Sequence, residues 1–167
     1  MLYDLAETAK VAIGVEDVES PSKRPIFFAF PGGTVRQLLD SFVSQFPAYQ
    51  WREDKGIIHV FWHGTHLPLA DVAISYPGAQ GKTLGQMRSD IPDIPEIKAW
   101  LDSNHCSHDQ GLANYTIGPL PQPFSVDGGS MTLAQLLDQV ATKSGQNYWS
   151  IVQTPPGKPC DVDISIE

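Results

Sequence analysis

No run of apolar residues in this chain approaches the roughly 20 that a membrane-crossing helix requires, so membrane insertion through helices is not expected. Basic side chains are scarce. Against 19 Asp and Glu stand 11 Lys and Arg, which leaves a formal net charge of −8 and a pI near 4.9. An acidic surface repels phosphate backbones and anionic headgroups, which removes nucleic acid from the expected partners. Cysteine occurs only as Cys106 and Cys160, with no Cys-x-x-Cys. Two readings stay open for the pair, a disulfide or two free thiols, and neither residue sits in a thiolate-activating motif. The start, Met1-Leu2-Tyr3-Asp4-Leu5-Ala6-Glu7, lacks the basic stretch and apolar run of a leader. The expectation is a cytoplasmic protein or a mature segment parted from its leader, and the cysteine pair favours the second.

What is present suits a folded domain. Hydrophobic residues make up 41% of the 167 and charged residues 18%, enough for a genuine core in one domain or two small ones. A repeat appears at an offset of 98 residues. Thr34-Val35-Arg36-Gln37-Leu38-Leu39-Asp40 lies over Thr132-Leu133-Ala134-Gln135-Leu136-Leu137-Asp138, and the register holds without a gap to Trp51 over Trp149.

Each copy predicts the same elements. An apolar strand, residues 26–30 or 124–126, leads to a Gly-Gly turn, Gly32-Gly33 or Gly128-Gly129. Thr34 or Thr132 then stands where a helix N-cap belongs. Val35, Leu38, Leu39, Phe42, Val43 and Phe46 make one buried stripe; Leu133, Leu136, Leu137, Val140 and Ala141 make the other. Pro47 and Gly145 end the two helices. A hairpin follows each, the first turning at Asp54-Lys55-Gly56, the second around a longer loop that carries Cys160. Ahead of the repeats, residues 2–10 and 94–103 read as helices, with strands at 11–15 and 115–117. The expected organisation is α+β, two similar small lobes at 1–66 and 92–167, each with short β-sheets packed on two helices. Residues 67–91 connect them through a strand at 71–76 and a Gly-rich loop.

Residues 2–62 resemble the secretin and TonB short N-terminal domain. The likeness rests on Leu5-Ala6-Glu7-Thr8-Ala9-Lys10-Val11-Ala12, Phe30-Pro31-Gly32-Gly33-Thr34-Val35, Leu38-Leu39, Tyr49-Gln50-Trp51 and Gly56-Ile57-Ile58-His59-Val60. Residues 92–167 resemble a second, divergent copy, with Gly-Ser-Met ahead of its Thr and a long hairpin loop. The resemblance implies a periplasmic module, contacts with a protein partner in an outer-membrane secretion or TonB-dependent system, and no catalytic residues.

Several residues could carry chemistry. His59, His63 and His66 form H-x3-H-x2-H, and on a strand His59 and His63 share a face. Asn104-His105-Cys106-Ser107-His108 adds softer ligands. A zinc-dependent hydrolase drawing on both clusters is the alternative function, although no H-E-x-x-H or G-x-S-x-G occurs. Gly78-Ala79-Gln80-Gly81-Lys82-Thr83 resembles the end of a phosphate-binding loop, but Tyr76 stands where the loop needs its first glycine, so a connecting loop is expected. Asp90, Asp93 and Glu96 suit the start of a helix better than a calcium or acid–base site. Trp51 and Trp149, equivalent in the repeat, are expected in the core; Trp62 is the candidate partner contact. The functional expectation is a non-enzymatic protein–protein interaction module without cofactor or metal, open to self-association.

Overall fold

In the computed structural model, which describes residues 1–19, 28–62, 67–108 and 122–167, the two repeated threonines start helices by one device. Thr34 caps α2 (Val35–Gln45) and Thr132 caps α5 (Leu133–Ser144). Each hydroxyl accepts from the backbone N–H of Gln37 or Gln135, and that glutamine's carbonyl oxygen accepts the threonine N–H in return. Gly145 closes α5 in the left-handed region at φ 77°. β2 (Tyr49–Asp54) and β3 (Ile57–Trp62) then pair antiparallel about Lys55 and Gly56, both at positive φ, a turn whose twist suits a hairpin. β9 (Tyr148–Gln153) and β10 (Cys160–Ile166) form the second hairpin, and Cys160, expected in the loop, opens the strand instead.

A helix and a strand precede each unit, α1 (Leu2–Ala9) with β1 (Ala12–Val18), and α4 (Pro95–Ser103) with β6 (Cys106–His108). In both the chain leaves the helix through a non-glycine residue in the left-handed region, Lys10 and His105, each at φ 53°. Residues 67–91 are more than a connector. They hold β4 (Ala73–Tyr76), β5 (Ala79–Lys82) and α3 (Leu84–Asp90), and run into a single 3-10 turn (Ile91–Asp93). β4 pairs with β8 (Gly129–Thr132) and β5 with β7 (Phe124–Val126), so the second unit's approach to α5 is held by this segment. The strand expected over 26–30 is not found in its described part. Phe28 instead sets its ring edge-on against Phe42, 5.8 Å between centroids. Ile26, Phe27 and the strand expected at 115–117 lie outside the described residues.

The main sheet has six strands in the order β2-β3-β1-β9-β10-β6. Its two triplets, β2-β3-β1 and β9-β10-β6, repeat one pattern: an antiparallel hairpin whose second strand runs parallel to the strand beyond it. The parallel pair β1–β9 joins them, so the two units share one sheet instead of holding a sheet each. Because β9 runs with β1 whereas β2 runs against it, the second triplet is turned over about an axis lying across the strands. The cores follow. Ile13, Val15, Ile58 and Val60 face Leu39 and Phe42 of α2 and Ala6 of α1. On the other face Trp149, Ile151, Val162 and Ile166 meet Leu133, Leu136, Leu137 and Val140 of α5, with Leu69, Ile74, Met87 and Ile91 from the segment between the units.

Candidate interaction surface

The repeated tryptophans are held alike. Trp149 donates its indole N–H to Asp138 at 2.8 Å, and Trp51 donates to Asp40 at 3.0 Å. Their surroundings differ. Trp149 is 1% exposed because β1 runs beside β9, and Gly14 lies opposite it in the register. A Cβ on Gly14 would run into Cζ2 and Cε2 of the indole, so only glycine lets the strand pass beneath the ring. Trp51 is half-buried, since no strand pairs with the outer side of β2 among the described residues. A groove of about 540 Å³ opens there, lined by Arg36, Asp40, Trp51, Arg52, Glu53 and Lys55. Arg36 rests over the Trp51 ring, 5.1 Å from its centroid, and pairs with Glu53 at 3.5 Å.

The joint between the units carries the most buried polar chemistry. His59 on β3, 6% exposed, approaches Asp138 of α5 at 3.5 Å and meets the Trp149 ring edge-on at 5.9 Å. Burial pushes the Asp138 carboxyl above the usual range, opposed by His59 and by the Trp149 N–H. Glu16 on β1, 3% exposed, accepts the Leu67 N–H at 3.0 Å. Asp138 and Glu16 are not among the residues the sequence marks as candidates. The repeat of Asp40 as Asp138, eleven residues ahead of a tryptophan each time, was the available signal for the first.

Among the described residues no group of three or more His, Cys, Asp or Glu is placed to hold a metal ion. His63 and His66 lie outside the described residues. Cys106 is bonded to Cys160 as a disulfide across β6 and β10, which leaves it no thiolate to offer. The His108 ring Nδ1 lies 2.9 Å from the Val162 carbonyl oxygen. Gly78–Thr83, expected as a loop, supplies β5 and the N-cap of α3. Of the acidic trio, Asp90 pairs with Lys82 at 3.0 Å and Glu96 accepts the Ser75 N–H at 3.0 Å, so two of the three have structural partners. Trp62 is half-buried, edge-on to Tyr49 at 5.1 Å; the tryptophan that borders an open groove is Trp51. Among the described residues no helix is long and apolar enough to cross a membrane.

Comparison with family models, with curated proteins and with solved structures returns no match to this chain.

Proposed function

We propose that this chain is a non-enzymatic protein–protein interaction module of the cell envelope, working in the periplasm within a secretion or TonB-dependent system. The observation that carries the reading is the outer side of β2, where an edge unpaired among the described residues, a half-buried indole and a groove lie together on one unit while the equivalent place on the other is filled by a strand. Sheet edges recruit partners because their main-chain groups are ready to pair. The compartment is supported by the Cys106–Cys160 disulfide, a bond that persists in oxidising surroundings and is rare in reducing ones. The resemblance of residues 2–62 to the secretin and TonB short N-terminal domain supports the same placement.

Two measurements test it. Thiol trapping in intact cells should find Cys106 and Cys160 protected from alkylation until a reductant is added; free thiols in growing cells would overturn the placement. Crosslinking in envelope extracts should yield adducts of the wild-type chain that diminish for Trp51→Ala. Adducts only with cytoplasmic proteins would overturn the role.

A further inference from the structure

The joint between β1 and β9 shows how this fold accepts a strand, and the repeat carries a second instance that no strand fills among the described residues. The carbonyls of Asn147, just ahead of β9, and of Gln153 at its end accept N–H groups from Ile13 and Glu19, whereas the Tyr148 carbonyl accepts from Glu167 beyond β10. Odd-numbered residues of β9 therefore turn their main chain toward β1. In β2 the pair Asp54–Ile57 closes the two-residue turn, so Arg52 and Asp54 face β3 and the main-chain groups of Trp51 and Glu53 point outward. Trp51 and Glu53 stand where Trp149 and Ile151 stand in the filled joint. The Trp51 ring is pinned to Asp40 as Trp149 is to Asp138, and the groove lies beside it. Arg36 occupies the position of Ala134 and covers the indole, but its side chain is 67% exposed, and a water-facing ion pair such as the one to Glu53 costs little to give up.

We propose that this lane binds an extended segment of a partner protein, added in parallel to the outer side of β2 with a glycine beneath Trp51. The inference rests on the interaction-module reading and names the class of partner. Main-chain bonds to Trp51 and Glu53 supply affinity. The indole supplies selectivity, since any Cβ at the facing position meets the ring as one on Gly14 would meet Trp149. The groove mixes Arg36, Arg52 and Lys55 with Asp40 and Glu53, so the segment is selected by shape ahead of charge.

The probe is a dye-labelled peptide with the sequence of residues 11–18, Val-Ala-Ile-Gly-Val-Glu-Asp-Val, titrated with the full chain and followed by fluorescence anisotropy. Saturable binding is expected. An analogue with valine for its glycine should bind about tenfold more weakly or worse. Glu53→Pro should abolish binding, because it removes an outward N–H and spares the β2–β3 ladder, which unchanged circular dichroism and Tm would verify. No saturable binding, equal binding of both peptides, or binding retained by Glu53→Pro would overturn the proposal. Self-association lost in Glu53→Pro would overturn the foreign partner in favour of a second copy. Envelope adducts formed equally by wild type and Glu53→Pro would sink the lane and leave the broader reading standing; peptide binding without any envelope adduct would sink the broader reading alone.

Discussion

Trp149 and Trp51 make one hydrogen bond in two environments, and the difference is measurable. Trp149→Phe leaves a largely buried Asp138 oxygen without its donor and should cost about 1–3 kcal/mol in urea unfolding. Trp51→Phe exposes Asp40 to water that replaces the N–H, and should cost less than about 1 kcal/mol. Gly14→Ala pushes a methyl into the Trp149 ring and should cost about 1–3 kcal/mol, a steep effect for one carbon. Asp17 gives a pH signature. Burial raises its carboxyl above 3.8, against the Tyr49 hydroxyl, which donates to both its oxygens at 3.1 Å, and the Val18 N–H. The folded chain therefore holds this proton to higher pH than the unfolded one. The stability it contributes is fully present below 3.8 and is lost as pH rises through the raised folded value. Asp17→Asn removes that loss, so its unfolding free energy should gain on wild type as pH climbs from 3.8 toward neutrality. A difference that shrinks over the same range would refute the assignment.

At the scale of elements, much was legible because it is local. The N-caps of α2 and α5 are written as a threonine before an apolar stripe, and the hairpins as β-rich runs around a glycine. A third copy of the same signal went unread. Thr83-Leu84-Gly85-Gln86 caps α3 with both reciprocal bonds, at 2.8 and 3.3 Å. It sits among glycines that suggest a loop, and its helix is too short to show a stripe. Thr34→Ala, Thr83→Ala and Thr132→Ala should each lower stability by about 0.5–2 kcal/mol. If Thr83→Ala shifts the unfolding midpoint of the whole chain, residues 67–91 belong to the cooperative unit, as Met87 and Ile91 in the core imply. The described part of the strand expected over 26–30 is the converse case: aromatic and apolar residues look like a strand in sequence, yet here Phe28 packs into the aromatic cluster of Phe42 and Phe46.

The whole molecule was the least legible. Nothing in the local pattern of β1 says that one flank belongs to its own hairpin and the other to the distant one. The hint was Gly14 inside an apolar strand, a residue that marks close approach by something large. Likewise the Cys106–Cys160 bond could not be chosen over free thiols until the register of β6 on β10 placed the two side by side. That bond closes a separation of 54 residues, and its reduction should cost up to about 4 kcal/mol, seen as a lower Tm under a non-denaturing thiol reductant.

A sheet stitched across its middle also dictates the order in which a growing polypeptide can be finished. β1 and α2 with its hairpin are made well before β9, so the flank of β1 that takes β9 stays bare until Tyr148–Gln153 has been made. Contacts between such remote stretches form slowly, and an uncovered strand invites mispairing while it waits. The glycine notch that later seats Trp149 is, during that interval, an opening for any passing extended chain, and it closes only when β9 arrives.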